Sequence, residues 1–249
     1  MGDGALTVRL RPLDWIPARG HGVGLAERLP SRPADPPLVL CIDRRAAAMR
    51  QALAALEPLL CCGERQRLER FRRLEDRQRF LLGRGGLRLC LGELLAEDPA
   101  HLRLAATAAG KPFLADAAGR PRRPAPQFNL SHSGDLILLA LHGGGPVGVD
   151  VERLRPSLDW RPIARRCLAP AECRRIEALA PAERALGFLE AWCALEASLK
   201  AEGSGLAGPG PDPASCRLWT LELPPDYRGA VALTDRAAGA AAAPGSHPG

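Results

Sequence analysis

Two carboxylates, Asp150 and Glu152, stand two residues apart in the run 147–152, which reads VGVDVE. Side chains of an extended strand alternate between its faces, so the valines share one face and both carboxylates share the other. Like charges on one face repel each other, and a divalent cation removes that repulsion. Mg²⁺ takes such hard oxygen ligands, usually one or two carboxylates with phosphate oxygens and waters. Taken alone the pattern is typical of a solvated strand end; beside phosphate-binding groups it indicates a magnesium site.

The segment 128–134, FNLSHSG, supplies phosphate-binding groups directly before this run. Ser131 and His132 are hydrogen-bond donors that we expect at the end of a loop, and Gly134 permits a close backbone approach. A histidine alone is more often a satisfied core or loop residue. The apolar run 136–141 and the run 147–152 flank a glycine-rich stretch, and this arrangement predicts a β-hairpin.

A second pair of residues that could take part in chemistry, Glu196 and Lys200, lies on the segment 182–202, which has strong helical periodicity. Glu196 and Lys200 are four residues apart and therefore neighbours on one helix face. Taken alone they are typical of a surface salt bridge worth about 0.3–0.5 kcal/mol. However, Lys200 and Lys111 are the only lysines among 34 Lys and Arg residues. Both positions are therefore candidates for a role that needs a compact ammonium rather than a guanidinium.

Composition restricts the partners of the chain. A net charge of +6 and a pI near 9.1 favour anionic partners, while only 4% aromatic residues disfavour nucleic acid, which is usually bound by stacking. The arginine-rich run 65–79 leaves open a nucleic-acid patch or a solvated helix face.

Eight cysteines without CxxC spacing predict free thiols in a reducing compartment. No apolar run is long enough to span a bilayer, so we expect a cytoplasmic protein without membrane contacts.

Periodicity also predicts the elements that position these groups. We expect strands at 6–10, 38–42, 102–106, 216–223 and 229–233, and helices at 46–60, 64–95, 160–168, 171–179 and 182–202. A turn at 110–112 and a Pro/Arg-rich loop at 115–127 precede the central segment. Trp192 is expected to pack in the core rather than stack on a ligand.

These motifs, in their order along the chain, resemble those of the Sfp-type 4′-phosphopantetheinyl transferases. The resemblance covers about residues 38–236. It departs at Leu195, where the family often has lysine. The matching motifs are GKP at 110–112, FNLSHS at 128–133, GVDVE at 148–152, WCALEASLK at 192–200 and GSGL at 203–206, with DRQR at 76–79 resembling a cofactor-contacting segment.

The resemblance implies an α/β (α+β) fold of two similar subdomains about a pseudo-twofold axis, with the cofactor cleft between them. The two halves are an N-terminal half 38–143 and a C-terminal half 144–236. Outside them, composition rather than the resemblance predicts an extended, mobile segment 1–37, rich in Pro, Gly and Arg, and a disordered tail 237–249, rich in Ala, Gly and Pro. The resemblance further implies a monomer. The implied reaction moves the phosphopantetheine arm of coenzyme A onto a serine of an acyl or peptidyl carrier protein, as in holo-[acyl-carrier-protein] synthases, and releases adenosine 3′,5′-bisphosphate.

Residue roles follow from the same resemblance. Asp150, Glu152 and Glu196 would hold Mg²⁺, Glu196 would accept the serine proton, and Lys200 would contact the diphosphate. The residues expected to bind coenzyme A carry donors or positive charge: Arg67, Arg79, Lys111, Ser131, His132 and Lys200. The main alternative is a coenzyme A- or carrier-binding module without catalysis, and an arginine-rich nucleic-acid binder is the third possibility.

Overall fold

The computed structural model describes residues 7–8, 11–12, 24–155, 157–204 and 216–234. The strands in these ranges are β1 (Thr7–Val8), β2 (Arg11–Pro12), β3 (Leu38–Asp43), β4 (Leu104–Ala106), β5 (Pro112–Leu114), β6 (Gln127–Ser133), β7 (Leu136–His142), β8 (Val147–Arg153), β9 (Cys216–Leu221) and β10 (Tyr227–Thr234). The helices are α1 (Leu25–Arg28), α2 (Ala47–Leu56), α3 (Cys62–Glu69), α4 (Leu74–Leu95), α5 (Arg161–Cys167), α6 (Pro170–Ala178) and α7 (Arg184–Glu202).

The two four-stranded sheets share the arrangement of three of their strands. The first has the order β2-β3-β7-β6 and the second β1-β9-β10-β8, with β4 and β5 pairing separately. In each sheet three antiparallel strands are arranged first–third–second in chain order, namely β3-β7-β6 and β8-β10-β9. Helices follow the first strand of each set. The predicted α/β fold class is therefore confirmed, and the two halves share their strand order.

The predicted hairpin between runs 136–141 and 147–152 is wrong. β7 pairs with β3 and β6, whereas β8 pairs with β10 in the other sheet. Alternate side chains of β7 and β8 instead meet in one buried core between the sheets. These core residues are Leu136, Leu138 and Ala140 of β7 and Val147, Val149 and Val151 of β8. Two apolar runs around a glycine-rich stretch cannot distinguish strands that pair side by side from strands that face each other.

The connection between the sheets is shaped by His142, which is fully buried. Its Nδ1 accepts the N–H groups of Gly144, at 3.0 Å, and Gly145, at 2.9 Å. Its Nε2 lies 3.3 Å from the carbonyl oxygen of Arg32. Gly143 also donates its N–H to the carbonyl of Pro30, at 2.7 Å. The chain thus crosses from one sheet to the other while bonded to the segment before β3.

The structure differs from several sequence expectations at the edges of elements. Segment 1–37 is predicted as extended and mobile, yet α1 packs Leu25 into the core at 2% exposure. The single helix predicted at 64–95 divides into α3 and α4, with a break at 70–73. Pro112 begins β5 instead of closing a turn. The predicted tail 237–249 lies outside the described residues.

The structure also bears on the predictions for the cysteines and for membrane-spanning segments. All eight cysteines are free thiols. Among the described residues, no helix combines the length and the apolar character needed to cross a membrane.

Candidate functional site

Helix α7 lies unusually close to strand β8, and Gly148 makes this possible. A Cβ at position 148 would lie 2.0 Å from the carbonyl oxygen of Ala197 and 2.4 Å from the nitrogen of Ala201. Any side chain here would therefore push the helix away. Because the backbones meet, Glu196 and Lys200 of the helix are brought next to the strand face that carries the two carboxylates.

Asp150 is the buried centre of this arrangement, at 4% exposure. Its Oδ1 accepts hydrogen bonds from Nζ of Lys200, at 2.6 Å, and from Oγ of Ser131, at 2.9 Å. The lysine ammonium also lies 3.4 Å from the Ser131 hydroxyl. Oδ2 of Asp150 is buried without a hydrogen-bond partner among the described residues. One carboxylate oxygen is thus satisfied while the other is left over for a further donor or cation.

The other two carboxylates belong to the same cavity, whose volume is about 360 Å³. Burial raises the pKa of Glu152, and Asp150 adds to that rise, while the hydrogen bond from Ser133 Oγ, at 2.7 Å, opposes it. Burial also raises the pKa of Glu196; Lys200 lowers it, and the two carboxylates of β8 raise it. The three acidic groups therefore repel one another across one space. The cavity is lined by Leu130, Ser131, His132, Asp150, Glu152, Trp192, Glu196 and Lys200.

The three carboxylates fit a divalent cation in their chemistry but do not form a ready cage. Within the described ranges, no group of three or more Asp, Glu, His or Cys side chains is arranged to hold a metal ion. The ammonium of Lys200 supplies the positive charge beside Asp150. The unpartnered Oδ2 of Asp150 and the mutual repulsion of Glu152 and Glu196 are what a hard cation such as Mg²⁺ would relieve.

A larger cavity of about 620 Å³ adjoins the first, since His132 and Glu152 line both. Arg79 donates from Nη1 to the carbonyl oxygen of Gly134, at 2.8 Å, and pairs with Asp76. Burial, followed by the positive charge of Arg79, lowers the pKa of His132. A neutral imidazole remains a hydrogen-bond donor. The lining consists of Asp76, Arg79, His132, Ser133, Gly134, Glu152, Arg153, Leu154 and Arg155, and its three arginines suit an anionic ligand.

Two of the predicted binding residues are not brought to either cavity. The guanidinium of Arg67 lies 5.3 Å from the ring centroid of Phe80. Nζ of Lys111 donates to the carbonyl oxygen of Ala201, at 2.8 Å, near the end of α7. Neither side chain is among the residues that line the two cavities. The other predicted residues all reach one cavity or both.

Three polar or charged residues of the larger cavity's wall have no role in the sequence prediction: Ser133, Arg153 and Arg155. Ser133 could have been found, because Ser131 and Ser133 share a face once 127–133 is assigned as a strand. The sequence predicts a loop end at Ser131 and His132, whereas both residues lie within β6. Trp192 combines two roles, since its ring stacks on Phe188 at 6.0 Å and also lines the smaller cavity.

Comparison with protein families matches both halves of the chain. The family described as "4'-phosphopantetheinyl transferase, N-terminal" matches residues 46–143. The "4'-phosphopantetheinyl transferase superfamily" matches residues 146–242. The second match contains the carboxylates of β8 together with Glu196 and Lys200.

Curated relatives agree with these matches. A Synechocystis protein named for the same family is 38% identical over 159 residues, which are 64% of this chain and 63% of the relative. HetI of Nostoc is 37% identical over 155 residues, 62% of this chain and 64% of HetI. The chain thus spans less than two thirds of these two proteins. Sfp of Bacillus subtilis is 30% identical over 187 residues, 68% of this chain and 79% of Sfp. On these matches, the chain belongs to the 4′-phosphopantetheinyl transferase superfamily.

Proposed function

We propose that this protein transfers the 4′-phosphopantetheine arm of coenzyme A to a serine of an acyl or peptidyl carrier protein, releasing adenosine 3′,5′-bisphosphate. One observation carries the proposal: three carboxylates and Lys200, from a strand and a helix, line a cavity that adjoins an arginine-lined one. The relatives are named as transferases of this kind. The holo-[acyl-carrier-protein] synthase type is the narrower form of the proposal.

The transfer breaks the diphosphate of coenzyme A and needs positive charge at the leaving phosphate. Mg²⁺ held by Asp150, Glu152 and Glu196 would neutralise the diphosphate and stabilise the leaving group. Lys200 contributes a point charge beside Asp150, where it can contact an anion that enters the smaller cavity. Ser131 fixes the orientation of the Asp150 carboxylate by its 2.9 Å hydrogen bond.

Glu196 accepts the proton of the attacking serine in this proposal. Its carboxylate lines the smaller cavity beside Asp150 and Glu152, where a hydroxyl that enters the cavity can reach it. Asp150 already holds two donors on Oδ1, and Glu152 accepts from Ser133. The position of Glu196 on a rigid helix keeps it facing the cavity.

Coenzyme A binding is assigned to Arg79, His132 and Lys200, which line the cavities. Ser131 also lines the smaller cavity, but its one hydroxyl hydrogen is donated to Asp150, so it acts by orienting that carboxylate. Arginine and neutral imidazole donate hydrogen bonds to phosphate oxygens. Arg67 and Lys111, the other two predicted contacts, receive no support from the cavity walls, and the proposal does not depend on them. The basic chain would also favour approach of an acidic carrier domain.

The test incubates the full chain with Mg²⁺, coenzyme A and a panel of apo acyl and peptidyl carrier domains. Intact-mass spectrometry should show one phosphopantetheine arm added to a carrier, and excess chelator should stop the addition. Glu196→Gln should lose transfer, whereas Glu190→Gln, an exposed glutamate of the same helix, should retain it. Binding of coenzyme A with no mass added to any carrier would support the non-catalytic module instead.

A further inference from the structure

The two sheets meet along β6 and β8, which are edge strands of different sheets. Among the described strand pairings none joins these two, so side chains make the connection. Asn129 Oδ1 accepts the N–H of Val149, at 3.1 Å. We call Asn129, Ser131 and Ser133 the polar seam; they occupy alternate positions of one strand and are 4%, 8% and 6% exposed. Hydrogen bonds between these polar side chains of β6 and strand β8, which carries the carboxylates, thus take the place of backbone β-pairing.

The Ser133 hydroxyl acts both as a hydrogen-bond donor and as an acceptor. Its Oγ donates to Oε2 of Glu152, at 2.7 Å, and accepts the backbone N–H of Arg153, at 3.1 Å. The N–H contact fixes the oxygen, so the hydroxyl proton is directed at the carboxylate. A hydroxyl–carboxylate bond is charge-assisted and stronger than a neutral one. The Glu152 carboxylate is therefore bonded to a group that is itself anchored to the backbone.

We propose that Ser133 is a positioning residue that holds the Glu152 carboxylate toward the smaller cavity for cation binding. This proposal rests on the proposed function, because it assumes that Glu152 is a metal ligand there. Arg155 lies close enough to favour the charged form of Glu152 and lines the larger cavity. Without the Ser133 hydroxyl, Glu152 is free to turn toward this arginine and away from Asp150. Ser133 thus acts on the cation only through Glu152.

The test compares Ser133→Ala with Ser198→Ala. Ser198 is equally buried, at 4% exposure, but its hydroxyl donates to the carbonyl oxygen of Ala194 in its own helix. In transfer assays, Ser133→Ala should raise the Mg²⁺ concentration for half-maximal rate by about tenfold, the usual size of an effect on residues behind metal ligands. The KM for the carrier should stay unchanged, and so should the Mg²⁺ requirement of Ser198→Ala.

A direct readout avoids dependence on turnover. Mn²⁺ is titrated into each protein with coenzyme A present, and free Mn²⁺ is measured by electron paramagnetic resonance. Ser133→Ala should weaken Mn²⁺ binding by about tenfold, and Ser133→Thr, which keeps the hydroxyl, should bind more tightly than Ser133→Ala. Equal Mn²⁺ affinity of Ser133→Ala and wild type, or an equal loss in Ser198→Ala, would overturn the positioning role.

Thermal unfolding is recorded for every variant. If Ser133→Ala does not fold, Ser133→Cys keeps the volume with a weaker donor, and its Mn²⁺ affinity must then fall below that of wild type. Failure of the wild type to modify any carrier would contradict the proposed function alone. The Mn²⁺ titration still decides the role of Ser133 in that case, because it measures the cation and not the transfer.

Discussion

Lys200 on α7 donates a 2.6 Å hydrogen bond to Asp150 on β8, and this ion pair connects the helix to the buried strand at the smaller cavity. The carboxylate side chain is 5% exposed and the lysine side chain 29%. Burying a carboxylate requires a partner, and here the partner is one of only two lysines in the chain. The same ammonium can thus stabilise the fold and serve an anionic ligand.

Lys200→Met should therefore impair both stability and activity. Removing one partner of a buried ion pair costs about 3 kcal/mol because the other charge stays buried. Removing a charge that stabilises the transition state should lower kcat/KM by about 10²-fold or more. Denaturant unfolding and carrier-modification kinetics measure the two effects. Lys200→Arg should keep most of the stability but not the rate, since a planar guanidinium replaces a compact charge. Wild-type kinetics in Lys200→Met would contradict the assignment.

Gly148 offers a test of the close approach between helix and strand. Gly148→Ala places a methyl group 2.0 Å from the carbonyl oxygen of Ala197, so α7 must shift. We expect a loss of at least about 1–3 kcal/mol in the free energy of unfolding, together with a loss of transfer as Glu196 and Lys200 move. Gly63→Ala is the matched control, because its Cβ meets nothing within 4 Å in helix α3. That variant should be neutral or stabilised. An unchanged melting temperature in Gly148→Ala would contradict the packing.

The helical spacing of Glu196 and Lys200 and the alternation around Asp150 were predictable, because both depend on periodicity within one element. The buried valine face of β8 is confirmed. The pairing of Lys200 with Asp150 was not predictable, since i,i+4 spacing relates residues only within a helix. The hairpin prediction is wrong for the same reason. A local sequence pattern indicates which face of a strand is buried, but it does not indicate which distant strand pairs with that strand.

Lys111 gives a prediction at alkaline pH. Burial lowers the pKa of its ammonium from 10.5 to about 8 in the folded protein. Between these values the unfolded chain binds more protons than the folded one, so this group makes stability rise with pH. The stability that this group adds is fully present above pH 10.5, the pKa in the unfolded chain. It is lost as the pH falls through about 8, the pKa in the folded protein. The slope is at most about 1.4 kcal/mol per pH unit.

The measurement compares unfolding free energies of wild type and Lys111→Met from pH 7.5 to 10.5. The difference between the two proteins isolates Lys111 from the other groups that titrate in this range. The stability of wild type relative to Lys111→Met should increase as the pH rises. A pH-independent difference would mean that the ammonium is not desolvated by its place at the end of α7.

His142 gives the corresponding prediction in acid. Burial lowers the pKa of His142 below its usual value of 6.5. Its Nδ1 accepts two N–H groups, at 3.0 Å from Gly144 and 2.9 Å from Gly145, so a proton on that nitrogen would face two donors. Stability from this group is therefore fully present above pH 6.5 and is lost as pH falls through the lower, folded pKa.

His142→Asn should remove this acid-dependent loss, because an amide oxygen can still accept N–H groups but does not titrate. His101→Asn is the control, since that imidazole is 84% exposed. Unfolding free energies measured from pH 7.5 to 4.5 should converge for wild type and His142→Asn as the pH falls, with wild type the more stable at neutral pH. Parallel curves for these two proteins would show that His142 is not held neutral by the glycine-rich connection. Convergence would establish that a single buried imidazole makes the crossing between the two sheets sensitive to acid.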